Sequence, residues 1–120
     1  MAFRFEELEI WKLAICYTNS IYSICKRFPK EELFSLQDQL KRCSSSIAAN
    51  IAEGSGASST KDFCHYLDIS TKSVYESVSH LFIAKQQGYI TKDQLGELYE
   101  DADKLARKIR SFKASLLRNA

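Results

Sequence analysis

The chain has 120 residues, 45% of them apolar, with four glycines, one proline and a formal net charge of +2. That length suits one domain, residues 1–120, built on one hydrophobic core, and so few turn-forming residues argue against an all-β fold. The charge is too small to announce nucleic acid by itself, and no apolar run approaches the roughly 20 residues that span a bilayer.

The opening Met-Ala-Phe-Arg-Phe-Glu-Glu has no apolar stretch after a basic start, so it does not read as a secretory signal. A cytoplasmic protein is expected. Cys16, Cys25, Cys43 and Cys64 show no C-x-x-C pairing and fall in helical stretches. They read as buried free thiols.

The first helix is predicted from about Glu6 to Arg27. Ile10, Leu13, Ala14, Tyr17, Ile21, Ile24, Cys25 and Phe28 form its core-facing stripe. A second apolar set, Leu8, Trp11, Ile15 and Tyr22, centres about 130° around the helix. It reads as a subunit interface, with a loop or the chain end as the alternative cover.

Phe28-Pro29 breaks that helix, and a second is predicted from about Lys30 to Glu53. Leu33, Leu36, Leu40, Cys43, Ile47, Asn50 and Gly54 alternate in steps of three and four, as in a heptad seam. Asn50 takes a seam position and needs hydrogen-bond partners there. Glu53 lies in the last turn, where the helix dipole disfavours it, so a donor partner is expected. Both read as structural. Gly54 or Gly56 is expected to supply a left-handed cap.

Ser58, Ser59 and Thr60 are candidate caps for a third helix reaching about Gln87, with Asp62 in its first turn. Its inner face is Phe63, Leu67, Ser70, Val74, Val78, Leu81 and Phe82, thinned by Ser70, Ser73 and Ser77. Gly88 stops it. Thr91 and Gln94 then form a capping box for a fourth helix. Its stripe is Leu95, Leu98, Tyr99, Ala102, Leu105, Ala106, Ile109, Phe112 and Leu116. Short connections between long amphipathic helices favour an all-α, antiparallel up-down-up-down four-helix bundle.

With the helices placed, the chain resembles the four-helix-bundle proteins encoded within bacterial 23S rRNA intervening sequences. Phe5-Glu6-Glu7-Leu8-Glu9-Ile10-Trp11 and Arg27-Phe28-Pro29-Lys30-Glu31-Glu32 carry part of the resemblance. Its strongest part is Gln39 through Gly56, with Arg42, Ser46, Asn50-Ile51-Ala52-Glu53-Gly54 and Gly56 in register. Lys61, Phe63, Leu67 and Gly88-Tyr89-Ile90 continue it. Cys43-Ser44-Ser45 departs from it, since members often carry alanine or other apolar residues there. The resemblance implies a bundle assembled as a ring, a homopentamer, similar to the accessory protein of diversity-generating retroelements, which binds nucleic acid.

Catalytic chemistry is poorly represented. His65 and Asp68 are i, i+3, Glu76 and His80 are i, i+4, and neither spacing supplies a di-iron pattern. Half-buried or surface histidines, no metal and no cofactor are expected. Ser44, Ser45 and Ser46 lack a partner base, and Gly54-Ser55-Gly56 reads as a plain turn. The protein is read as no enzyme.

Charge patterning says more. From Lys104 onward the fourth helix holds Lys104, Arg107, Lys108, Arg110, Lys113 and Arg118 with no acidic residue. A dipole-matched solvated face explains that layout, but a ring would repeat it into a large basic surface. With the resemblance, this favours a nucleic-acid-binding ring contacting RNA or DNA phosphates through Arg107, Lys108 and Arg110, with Lys41, Arg42 and Lys61. The alternative is a structural or adaptor oligomer with a protein partner.

Overall fold

Local chemistry at each helix end sets the boundaries. In the computed structural model, which describes residues 1–120, the chain forms α1 (Glu9–Cys25), α2 (Leu36–Ser55), α3 (Thr60–Gln86) and α4 (Lys92–Arg118). Short 3₁₀ turns at Arg4–Glu7 and Lys30–Glu32 precede α1 and α2. There is no strand.

Helix α1 starts later than its periodicity predicts because Leu8 is extended, at φ −80° and ψ 125°. The Phe3 N–H donates to the Glu6 carboxylate at 3.1 Å, closing the first turn on itself. Phe5 then folds onto Trp11, with ring centroids 4.8 Å apart. The chain end therefore lies against α1 instead of extending it.

Helix α2 begins at Leu36, not at Lys30. Glu32 explains the shift. Its carboxylate accepts the Leu36 N–H at 3.2 Å and the Tyr89 hydroxyl at 3.0 Å. A residue held from across the fold thus satisfies an otherwise orphaned amide at the helix start. Leu33 and Phe34 fall in the intervening turn, 47% and 89% exposed, so Leu33 leaves the predicted seam.

The later caps agree with the sequence. Ser59 Oγ accepts the Asp62 N–H at 3.1 Å, and Thr91 and Gln94 exchange bonds of 3.1 and 2.8 Å. Gly88 has φ +80°. Its N–H bonds Lys85 O at 3.0 Å, and the Tyr89 N–H bonds Ala84 O at 2.9 Å, a Schellman stop. Neither Gly54 nor Gly56 is left-handed, contrary to expectation, and Gly56 closes α2 at φ −90°. Gly54 is required for space instead. A Cβ there would sit 2.8 Å from both Phe63 Cδ1 and Tyr66 Cβ.

Neighbouring helices run antiparallel. Thr18 donates to Ser44 O between α1 and α2, and Ser70 donates to Ile47 O between α2 and α3, both at 2.9 Å. Phe63 meets Phe112, and Phe82 meets Tyr99, between α3 and α4. Lys108 reaches Glu9 between α4 and α1 at 3.0 Å. Helices α2 and α4 make no close backbone approach and stand on a diagonal. The resulting body measures 46 × 23 × 22 Å, about one long helix by two helix diameters.

Ile21, Leu40, Ile47, Ile51, Leu67, Leu81, Leu105 and Ile109 fill the centre, each under 2% exposed. Truncating such a side chain to alanine costs about 2–5 kcal/mol. Two predicted inner positions turn outward: Phe82 is 45% exposed and Tyr99 47%. Cys25, Cys43 and Cys64 are buried free thiols as expected, but Cys16 is exposed. No helix is long and apolar enough to cross a membrane.

Candidate nucleic-acid interface

Helix α4 buries Leu98, Ala102, Leu105, Ala106 and Ile109. At 100° per residue, that stripe directs Arg107 almost straight outward. Lys104 and Lys108 lie toward α1, and Arg110 and Lys113 toward α3. Each flank finds partners within the subunit. Arg107 pairs with Asp103 at 3.1 Å, Lys108 with Glu9 at 3.0 Å, and Lys113 with Asp68 at 2.8 Å. The Asp68 bond raises the Lys113 pKa. Arg110 donates to the Tyr75 hydroxyl, its guanidinium 5.8 Å from the ring centroid. Lys104 and Arg118 have no carboxylate partner.

These pairs are exposed, and exposed ion pairs contribute only about 0–1 kcal/mol. A phosphate can therefore replace an aspartate or glutamate at little cost. The basic half of α4 is a surface whose cations are oriented but weakly held.

The other predicted contacts divide between the ends of the bundle. Lys61, exposed in the first turn of α3, shares an end with the basic half of α4, because Phe63 packs on Phe112 at 5.5 Å. Arg4 joins that end, its guanidinium 5.2 Å from the Phe63 ring centroid. Periodicity could not reveal Arg4, since its place depends on the break at Leu8. Lys41 and Arg42 sit apart, in the first half of α2, the helix diagonal to α4. Lys41 Nζ lies 5.1 Å from the Tyr22 ring centroid, and Arg42 pairs with Asp38 at 2.9 Å. One subunit does not bring all six predicted cations to one face.

Asn50 is half-buried at the border of the seam, which Ile47, Ile51 and Gly54 carry. Its Nδ2 donates to Ser46 O at 2.8 Å and Ser46 Oγ at 2.9 Å, both one turn back on its own helix. Glu53 is exposed and makes neither ion pair nor side-chain hydrogen bond, so the expected donor is absent from the subunit. The second apolar set of α1 is split. Leu8, Trp11 and Ile15 are partly buried against the core, with Phe5 covering part of Trp11. Tyr22 stays 41% exposed, its hydroxyl 3.4 Å from Ser45 Oγ. The chain end is thus part of that set's cover.

Two features escaped the sequence. A groove of about 210 Å³ runs between α3 and α4, lined by Val74, Tyr75, Val78, Tyr99, Ala102 and Arg110 among others. Across α2 and α3, Cys43 meets the Glu76–His80 pair, with the three ligand atoms all within 4.8 Å of one another. Burial, then the charge of Glu76, pushes the Cys43 thiol up to about 12. The signal for this trio lay in the register. Ser46 opposite Ser73 sets Cys43, one turn earlier, opposite Glu76, one turn later.

Residues 6–111 match the family described as 23S rRNA-intervening sequence protein. The chain is also similar to a solved protein of unknown function, from the S23 ribosomal protein family of Bacteroides thetaiotaomicron. That likeness has 25% identity and a TM-score of 0.80, and covers 87% of this chain and 97% of the other. No curated protein matches. The family match runs from the first 3₁₀ turn to residue 111 in α4, and so takes in α1, α2 and α3 whole and most of α4. On that ground, the chain belongs to the 23S rRNA-intervening sequence protein family.

Proposed function

We propose that this protein is a nonenzymatic up-down-up-down bundle that assembles as a ring in the cytoplasm and holds RNA or DNA phosphates on the basic half of α4. The observation that carries the reading is the segment from Lys104 to Arg118, which presents six cations and no carboxylate of its own. Lys61 and Arg4 extend that surface at the same end of the bundle. No aromatic ring is interleaved with the cations beyond Phe112, which packs inward on Phe63. The expected contact is therefore with the phosphate backbone, not with stacked bases.

A ring multiplies what one subunit holds weakly. Each copy repeats the same face around the axis, so the potential grows while the fold stays unchanged. The family resemblance makes a homopentamer the expected assembly, with Tyr22 and the open edges of Leu8, Trp11 and Ile15 as its contact face. Light scattering tests the assembly. A mass near 13.7 kDa contradicts it, and about five times that supports it.

Exposed Tyr75, Phe82 and Tyr99 along α3 and α4 favour a second reading, an adaptor oligomer that docks a protein. A gel-shift titration at low salt separates the two. Binding of structured RNA, single strands or duplex DNA that weakens steeply with salt supports the phosphate surface. No binding up to tens of micromolar would leave the adaptor.

A further inference from the structure

We infer that Cys43, Glu76 and His80 form a binding site for a zinc-class divalent metal ion bridging α2 and α3. Cys43 is 5% exposed on α2, and Glu76 and His80 occupy successive turns of α3. A tetrahedral zinc with sulfur, nitrogen and oxygen ligands holds those atoms about 3.3–3.7 Å apart, given its bond lengths. Here all three potential ligand atoms already lie within 4.8 Å of one another, and Glu76 and His80 approach to 3.5 Å. Small side-chain rotations close the set.

His80 Nε2, 3.5 Å from the Glu76 carboxylate, is the nitrogen offered to the ion. The ring's other nitrogen, Nδ1, is buried without a hydrogen-bond partner, so nothing on the protein competes for the ring through that atom.

The donor set selects the ion. Thiolate, imidazole and carboxylate together suit zinc, and they exclude magnesium and calcium, which take oxygen ligands. Entry is from the Glu76 side, whose side chain is 57% exposed against 16% for His80. A solvent molecule would complete the fourth position. On binding, the Cys43 S–H bond breaks, an S–Zn bond forms, and the proton passes to solvent. No electron changes hands.

Zinc ion alone, titrated into the full chain, tests the site. One zinc per chain is expected, with a melting temperature raised by about 10 °C at a hundredfold excess over Kd. Cobalt in its place should show tetrahedral absorption and a thiolate-to-metal charge-transfer band. Cys43→Ser should remove that band and weaken binding at least ~10–100-fold, the loss that even an outer-shell change produces. Glu76→Gln, at an exposed position that does not endanger folding, should weaken binding about tenfold with the metal-free melting temperature unchanged. Cys16→Ser should change nothing. The proposal is overturned if the wild type binds neither ion, if cobalt binds without a thiolate band, or if Cys16→Ser abolishes binding.

Discussion

The α2–α3 seam and the outer half of α4 use polar residues in opposite ways. In the seam, Ser70 and Ser77 are fully buried and bonded to the Ile47 and Val74 carbonyls at 2.9 and 2.6 Å. Tyr17 adds its hydroxyl to Ser77 at 2.7 Å, and burial pushes its pKa up to about 12. Small polar side chains that close on backbone carbonyls are satisfied there and let two helices approach. On α4, charged side chains stand in water against partners that a phosphate can displace. The seam's buried serines hold two helices together, and the α4 cations stay at the solvent surface.

Gly54→Leu should have the largest effect on the α2–α3 seam. At Gly54 the Phe63 ring and the Tyr66 Cβ lie 2.8 Å from any added Cβ, so unfolding or a loss above about 3 kcal/mol is expected in urea denaturation. Gly54→Ala should cost about 1–3 kcal/mol. A neutral Gly54→Ala would show that α2 and α3 can separate freely.

Alkaline titration probes the buried thiols of the seam and of α1. Burial raises Cys25 to about 11 and Cys43 to about 12, both from 9.0. The folded state therefore keeps protons that the unfolded chain releases above pH 9. Stability from these groups is full below pH 9 and is lost as pH rises through 11 to 12. The urea midpoint should fall between pH 9 and pH 11. A flat profile would show that these thiols are solvated.

Smaller effects are expected at the seam border and on α4. Asn50→Ala should cost under about 1 kcal/mol, because its donors reach only Ser46 on the same helix. A loss of 2 kcal/mol or more would reveal a buried partner supplied by another subunit. Arg107→Gln with Lys108→Gln should shift thermal stability by no more than about 0.5 kcal/mol per site, since exposed pairs contribute little.

Much of the architecture was legible because it rests on local signals. Thr91 with Gln94 and Gly88 each act on their own helix end, so spacing alone places them, and the same local chemistry narrows the α3 cap to Ser58, Ser59 or Thr60, of which Ser59 takes it. The starts of α1 and α2 were hidden because distant residues decide them. Phe5 turns toward Trp11, and Glu32 is held by Tyr89. Gly54 was legible as important but not for its reason: it makes room for Phe63 and Tyr66 and does not reverse the chain. The division of the basic residues was hidden too. Lys41 and Arg42 leave the α4 surface only because α2 and α4 are diagonal, a property of packing order and not of any segment.

The central claim is tested most directly by the salt dependence of nucleic-acid affinity in three proteins: wild type, Arg107→Gln with Lys108→Gln, and Lys41→Gln with Arg42→Gln. The wild type should bind with log Kd rising linearly with log salt. The α4 double variant should lower that slope by about one unit per lost contact, across all sequences tested. The α2 double variant, at the far end of the diagonal helix, should keep the wild-type slope. An unchanged slope in the α4 variant, or no wild-type binding at low salt, would contradict the account and leave the basic half of α4 as a dipole-matched solvated face.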